Sequence, residues 1–494
     1  MSEAQKYRRN INPYTLGCSM FAVVGSLLYG IDSGVISTTI SHPTFTNYFA
    51  PFTPGVKGAV VSTFGGGSFL GVLFAGWSAD AWGRKYSIMF AAAVALIGGI
   101  IQASSVKIGM LIAGRIIGGF AVGVMNMVIP VYNSEIAPPG KRGLITGLHG
   151  QFVSIGFGTA NWIGFACSYA SGAFQWRFPL AFQCLPAVIV LVGIFWLPFS
   201  PRWLLEKDRV EEAYAILKKL HGPQNEEEEE LFEAEFLQMK EQIRYDMSIR
   251  ASGFKPFLQK KSNRKRLAVS VAVQAFTQLT GVNVMNYYQT DLYKGLGITG
   301  HTVLLLSGIF GLDGPTFNLL GILLVDSWGR KRTLWITNIA MALSIVCVMC
   351  LTAVFQHSSN QVGKGFAIAF LFIFSGIYSF GYNSIHYIYV PEIMSQEVRA
   401  IGTAIAVEVN VLINIVLNQV SPIAFANIGW RYYSVFIATN LVAAVVVFLY
   451  FPETKGKTLE EIGELFGDEL IINMSDITTV GKSDVEAAMA VHKE

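Results

Sequence analysis

The sequence predicts an all-α membrane protein, with twelve transmembrane helices in two pseudo-symmetric six-helix bundles and short cytoplasmic helices between them. Three observations predict it. The 494 residues are 52% hydrophobic and only 14% charged, where a soluble chain carries roughly a quarter. Apolar runs long enough to cross a bilayer, about 20 residues each, recur throughout. A short charged cassette also occurs twice, each time between two apolar runs: Asp80-Ala81-Trp82-Gly83-Arg84-Lys85 and Asp326-Ser327-Trp328-Gly329-Arg330-Lys331. A second pair follows in the same order, Glu135 to Arg142 and Glu392 to Arg399. Self-similarity at half the chain length means two related bundles.

The twelve spans read 14–38, 58–79, 86–105, 108–132, 144–168, 177–197, 267–290, 301–325, 333–355, 365–390, 400–422 and 431–451, by length and hydropathy. Many contain Gly, Asn or Ser, which suits helices packed in a bundle. The chain therefore divides into an N-terminus (1–13), a first bundle (14–197), a helical linker (198–266), a second bundle (267–451) and a tail (452–494). The first apolar run is too long for a cleaved signal peptide. In the linker, Val210 to Lys219 alternates as an amphipathic helix, Glu226 to Glu230 is an acidic run that reads as a solvated face, and Leu231 to Met239 resumes helical spacing. A helical stretch from Leu459 to Phe466 precedes a polar tail expected to be disordered from about Asp468.

Lys and Arg set the orientation. One side collects Lys6, Arg8, Arg9, both cassettes, Lys141, Arg142, the run Arg264-Lys265-Arg266 and Arg399, while the opposite loops carry isolated charges such as Lys57 and Lys294. The positive-inside rule places both termini and the cassettes in the cytoplasm, and the plasma membrane is the expected site. The net charge of +3 is this bias and no sign of a nucleic-acid partner. All five cysteines lie in or at the end of apolar spans, and Cys347-x-x-Cys350 lacks a second ligand pair, so neither metal nor cofactor is expected. No nucleophile–base set or nucleotide loop points to an enzyme.

Two repeats in a membrane chain suggest a transporter that rocks one half against the other. Charges inside the spans are costly unless paired or wet. Asp32 in the first span and Arg115 in the fourth both lie roughly 10 Å below the outer surface at 1.5 Å per residue, so depth and sign make them partners. In the cassettes, Gly83 permits a tight turn, and Arg84 offers a planar donor to carboxylates such as Glu135. Such contacts are expected where the cytoplasmic ends meet, favouring the outward-open state. The gate set is Asp80, Arg84, Glu135, Arg142, Asp326, Arg330, Glu392, Arg399 and Glu453.

The motifs resemble those of the sugar porters of the major facilitator superfamily over nearly the whole length. They are the paired D-x-x-G-R-K loops, Pro130-Val131-Tyr132 with Glu135 and Arg142-Gly143, Ser200-Pro201-Arg202-Trp203, Gln278-Leu279-Thr280-Gly281-Val282-Asn283 with Tyr287-Tyr288, Pro391-Glu392 with Arg399-Ala400, and Pro452-Glu453-Thr454-Lys455-Gly456. Trp176-Arg177-Phe178-Pro179-Leu180-Ala181 is similar to the fungal branch of hexose and polyol carriers. The resemblance implies that Asp32 accepts the coupling proton beside Arg115, and that Gln278, Asn283 and Tyr287 contact sugar. Phe199 departs from it, standing where the family's P-E-S-P-R run carries Glu.

An uncharged sugar or polyol is held by amides, hydroxyls and aromatic faces. The candidates are Gln151, Gln278, Asn283, Asn286, Tyr287, Tyr387 and Asn410. Several slots depart from the family: Thr277 replaces the first Gln of its pair, and Gly150 stands where Gln is expected, with Gln151 one residue late. Gly314 replaces an Asn, Tyr387 the stacking Trp, and Asn410-Val411-Leu412-Ile413-Asn414 lacks a Trp. His386 flanks this set, and Asp313 and Glu408 are further intramembrane acids without an assigned role. The expected function is import of a monosaccharide or polyol by a monomeric proton symporter. The alternatives are a uniporter, an exporter of a small metabolite or drug, and a non-transporting nutrient sensor.

Overall fold

The computed structural model describes residues 12–138, 142–221, scattered residues between 229 and 257, 259–395, 398–455, 457 and 459–467; for 142–144, 322–327, 384, 387, 400 and 459–461 only the backbone is described. Helix is the only regular secondary structure among the described residues. The first half contains α1 (Pro13–Ala22), α2 (Val24–Thr39), α3 (Pro43–Tyr48), α4 (Pro54–Ala81), α5 (Gly83–Ala103), α6 (Ile108–Ile136), α7 (Arg142–Cys167), α8 (Phe174–Phe182) and α9 (Cys184–Gly193). The linker carries α10 (Pro201–Glu206) and α11 (Val210–His221). The second half contains α12 (Lys261–Leu279), α13 (Val282–Gly295), α14 (His301–Trp328), α15 (Arg330–Phe355), α16 (Gln361–Ile393), α17 (Arg399–Ile428) and α18 (Tyr433–Tyr450), followed by α19 (Leu459–Phe466).

Local chemistry sets the ends. The Asn12 side chain accepts from the Tyr14 N–H at 3.0 Å, with Pro13 in the first turn. Thr53 and Ser200 cap α4 and α10 in the same way. Gly83 and Gly329 take φ of 82° and 87°, turning the chain between consecutive spans where a side chain would be strained. Three expected spans prove to be interrupted rods. The first breaks at Val23, the sixth at Gln183 and the seventh at Gly281, whose φ is 89°. The last break falls just after Gln278, so one side-chain amide sits at the end of α12 and the next ones begin α13.

Ten described stretches are long and apolar enough to cross a membrane, and one of them, 401–450, holds both α17 and α18. The twelfth rod is α7. It carries His149, Gln151, Ser154 and Asn161 on faces packed in the bundle, which lowers its hydropathy.

Both halves pair their rods alike. In the first, α2 packs on α7, α4 on α6 and α5 on α6; in the second, α12 packs on α17, α14 on α16 and α15 on α16. The halves meet where α7 lies on α14, α4 on α17 and α2 on α13. Small residues permit the tight contact of α4 with α6. A Cβ on Gly67 or Gly71 would stand 2.1 Å from the carbonyl of Ile116 or Phe120, and one on Gly119 would stand 2.1 Å from that of Phe64. This approach brings α6 against α4 one turn from Arg115.

Candidate functional site

Between the halves lies a cavity of about 170 Å³. Tyr29, Ser33, Ser68, Asn126 and Ser154 line it from the first half, and Gln274, Gln278, Asn283, Asn286, Tyr287 and Asn410 from the second. Ser375, Tyr378, Ser379, Asn383 and His386 of α16 complete the wall. No Asp, Glu, Lys or Arg lines it among the described residues.

The second-half amides are joined in one direction. Asn418 Nδ2 donates to Asn414 Oδ1 at 2.8 Å, Asn414 Nδ2 to Gln278 Oε1 at 3.0 Å, Gln278 Nε2 to Asn410 Oδ1 at 2.8 Å, and Asn410 Nδ2 to Gln274 Oε1 at 2.9 Å. Asn283 Nδ2 also donates to Gln278 Oε1, at 2.6 Å. These bonds fix the rotamers of a wall that would otherwise be ordered at the expense of a bound solute.

Five of the sequence-derived binding residues, Gln278, Asn283, Asn286, Tyr287 and Asn410, therefore line one cavity. Gln151 does not line it. Its Nε2 donates to the Pro315 carbonyl at 3.1 Å and its Oε1 accepts from Asn318 at 3.0 Å, so it ties α7 to α14. Asn383 donates to Asn318 Oδ1 at 3.1 Å and extends that link to the cavity wall. The side chain of Tyr387 lies outside the described residues. Asp313 and Glu408 are not lining residues.

Sequence reasoning missed the first-half network behind Asn126. His149 of α7 meets Ser26 Oγ of α2 through Nδ1 at 2.7 Å and Asn126 Oδ1 of α6 through Nε2 at 2.9 Å. An amide oxygen only accepts, so Nε2 carries the hydrogen and Nδ1 accepts from the serine hydroxyl. The signal was available, since Asn126 and His149 are polar residues inside apolar runs.

Asp32 and Arg115 form the expected pair. Arg115 Nη1 donates to Asp32 Oδ1 at 2.9 Å, with relative exposures of 0% and 1%. Nη1 also reaches the Asp32 carbonyl at 3.3 Å, Nε reaches the Val60 carbonyl at 3.2 Å, and the guanidinium sits 4.4 Å from the Phe64 ring centre. One side chain thus ties α6 to α2 and α4. Asp32 lies one residue from Ser33, which lines the cavity together with Tyr287.

The cassettes lie at the other end of the same helices. Arg84 Nη2 meets Glu135 Oε1 at 2.8 Å, and its Nη1 lies 3.8 Å from Asp80 and 3.7 Å from Glu206. Arg330 Nη2 meets Glu392 Oε1 at 3.1 Å. Glu453 accepts from the backbone N–H groups of Arg330 and Lys331 at 2.9 and 3.1 Å. Arg399 donates to the Met394 carbonyl at 3.4 Å. The side chains of Arg142 and Asp326 lie outside the described residues.

Each of these ion pairs joins helix ends within one half, or, for Arg84 and Glu206, the first half to α10 of the linker. At the far end, by contrast, the halves are bonded to each other. Gln289 of α13 donates to Ser37 Oγ and Asn161 Oδ1, both at 3.2 Å, Lys294 to the Ser41 carbonyl at 2.7 Å, and Lys57 pairs with Asp291 at 2.6 Å. The expectation that the cassette pairs accompany the outward-open state thus differs from what is observed. They coexist with closure at the opposite end because neither bridges the two halves.

The sequence matches the family "Sugar (and other) transporter" over residues 18–466. It is 34% identical over 464 residues to the MFS-type transporter criB of Aspergillus cristatus, covering 94% of this chain and 95% of that one. The high-affinity glucose transporter of Kluyveromyces lactis is 33% identical over 485 residues, covering 94% and 87%. Among solved structures, the inward-open xylose transporter XylE from E. coli superposes with a TM-score of 0.76 at 25% identity, covering 91% of this chain and 99% of that one.

Proposed function

Because the chain belongs to the sugar (and other) transporter family, a family of multi-pass membrane proteins with the major facilitator fold, we propose that it imports a neutral monosaccharide or polyol together with a proton. One observation carries the substrate class: both halves contribute amides and hydroxyls to a cavity wall without a formal charge among its described residues. A carboxylate- or amine-bearing solute would need an opposite charge there, since burying an unpaired ion is costly. Hydroxyl groups need donors and acceptors in fixed places, which the joined amides of α12, α13 and α17 supply. The single chain holds the whole cavity, so a monomer suffices for transport.

The coupling reading rests on position. The helix that bears Asp32 also presents Tyr29 and Ser33 to the cavity, and Arg115 is held by that helix and by α4. Proton binding to Asp32 removes the charge that Arg115 pairs with and loosens α2 from α6. Release of the proton on the other side restores the pair and returns the empty carrier. With the cassettes in the cytoplasm of a plasma-membrane protein, the far-end bonds through Gln289, Lys294 and Lys57 are the extracellular gate, and the state described faces inward. The cassettes then act as braces that keep each half rigid while it rocks.

The test is uptake of radiolabelled hexoses, pentoses, disaccharides, glycerol, polyols and quinate by a transporter-null host at two external pH values. A symporter of a neutral solute takes up one or more of the sugars or polyols faster at the acidic value and alkalinises an unbuffered medium. Asp32→Asn should abolish the alkalinisation while counterflow of the same solute persists. Alkalinisation that survives this change sinks the coupling role of Asp32 and leaves it in a structural pair, whereas solute uptake by the wild type without alkalinisation leaves a uniporter.

A further inference from the structure

We infer that Asn126 is a specificity-determining contact of the solute cavity, turning its amide hydrogens toward a solute oxygen. Ser26 and His149 are the positioning residues that hold it this way round. The inference rests on the neutral-solute reading and deepens it. Asn126 of α6 lines the cavity, and its Oδ1 meets His149 Nε2 at 2.9 Å. Its Nδ2 is neither bonded among the described residues nor buried, so the amide hydrogens are turned to the cavity. Behind the ring, His149 Nδ1 meets Ser26 Oγ at 2.7 Å. Ser26 and His149 are 1% and 3% exposed, and neither lines the cavity.

A side-chain amide turned by 180° keeps its shape and exchanges a donor for an acceptor, so something must choose between the two. The choice starts at Ser26. Among the described residues its hydroxyl has one acceptor within hydrogen-bond distance, His149 Nδ1, and a buried hydroxyl hydrogen left unmet is costly. Donation from Ser26 makes Nδ1 the acceptor, which puts the ring hydrogen on Nε2. That N–H needs an acceptor across from it, so Asn126 turns its oxygen to the ring and its N–H groups to the solute. Three residues on α2, α7 and α6 thus set the polarity of one point on the cavity wall.

The second half is set the opposite way. Asn283 spends its Nδ2 on Gln278 Oε1, and its Oδ1 is neither bonded among the described residues nor buried. It therefore offers the cavity an acceptor. A solute hydroxyl donates to Asn283 and accepts from Asn126, so one half reads the hydrogen of a hydroxyl group and the other reads its lone pairs.

The experiment is uptake of radiolabelled D-glucose, D-xylose, D-sorbitol and glycerol into proteoliposomes, with the monodeoxy and monofluoro analogues of each as competitors. Fluorine accepts a weak hydrogen bond and donates none, so the hydroxyl read by Asn126 is the one whose fluoro analogue competes better than its deoxy analogue. Wild type should show such a carbon, its deoxy analogue binding about three- to tenfold more weakly than the parent solute, the worth of one hydrogen bond. At the carbon read by Asn283 the two analogues should be equally weak. Asn126→Ala should raise KM for the parent solute by a similar factor and abolish the difference between the analogues. Ser26→Ala, a change out of reach of the solute, should narrow that difference as the amide turns, with the maximal rate near wild type. A purely structural role for Ser26 would lower the maximal rate and leave the difference intact. His149→Phe serves if Ser26→Ala does not reach the membrane. The contact is overturned if wild type shows no such carbon or if the difference survives Asn126→Ala. A difference that survives Ser26→Ala, or His149→Phe in its place, overturns the positioning. If wild type carries none of the four solutes, the neutral-solute reading falls and this one with it.

Discussion

In the first half Arg84 reaches Glu135 at 2.8 Å with both side chains 8% exposed; in the second, Arg330 reaches Glu392 at 3.1 Å with exposures of 13% and 29%. The same motif is thus buried in one half and half-open in the other. The difference traces to what stands behind each turn. In the second half Glu453 accepts from the first two N–H groups of α15, a carboxylate at a helix N-terminus where the helix dipole favours it. In the first half Phe199 stands where the resembled motif carries Glu, and it stacks on Trp203 with ring centres 5.5 Å apart. Trp203 packs on Gly83 and donates from its indole to the Asp80 carbonyl at 3.0 Å. Lys85 reaches the Leu197 carbonyl at 2.7 Å and the face of Phe199. An aromatic lid has replaced an anionic cap, and Glu206 supplies a more distant second carboxylate to Arg84. One cassette is therefore held by a desolvated pair under rings, and the other by a wetter pair plus a capped helix.

Four changes test that contrast, taken from the largest expected effect downward. Arg84→Ala leaves Glu135 buried and unpaired, a loss of about 3–5 kcal/mol. It should appear as a large fall in the melting temperature of the solubilised protein and in uptake at equal surface level. Arg330→Ala removes a partly wet pair and should cost about 1 kcal/mol, with a loss that shrinks in high salt; equal losses from the two would erase the contrast. Glu453→Gln should cost about 1 kcal/mol through its weaker cap on α15, measurable as earlier hydrogen exchange at Arg330 and Lys331. Phe199→Glu exchanges a ring stack for a carboxylate near the start of α5, two contributions of similar size. Its melting temperature should stay near wild type, and a large drop would show that the stack carries more than the geometry assigns it.

Much of this was legible in the residues. The spacing of apolar runs and the doubled cassette read through to twelve rods paired alike in two halves, because a bilayer demands length and hydropathy that soluble folds do not. Matched depth and opposite sign brought Asp32 to Arg115. Gln278, Asn283, Asn286, Tyr287 and Asn410 were readable as polar positions in apolar runs. Gln151 was read as a cavity residue, yet a shift of one residue turns a side chain by about 100°, enough to send it to Pro315 and Asn318 instead. The His149 network needed the packing of α2, α6 and α7, which no periodicity encodes. Helix breaks at Val23 and Gln183 likewise carry no glycine or proline at the break itself and were hidden in continuous apolar runs.

The amides from Asn418 to Gln274 all point their N–H groups the same way. Such a string is polarised along its length, each dipole reinforcing the next, and its direction is set by Asn410 Nδ2, which also donates to the fixed Gln274 backbone carbonyl at 3.1 Å. Turning one amide sets two acceptors or two donors face to face, so none can turn alone. A solute hydroxyl that engages one link is therefore felt by the rest, and the wall reads a sugar collectively instead of contact by contact.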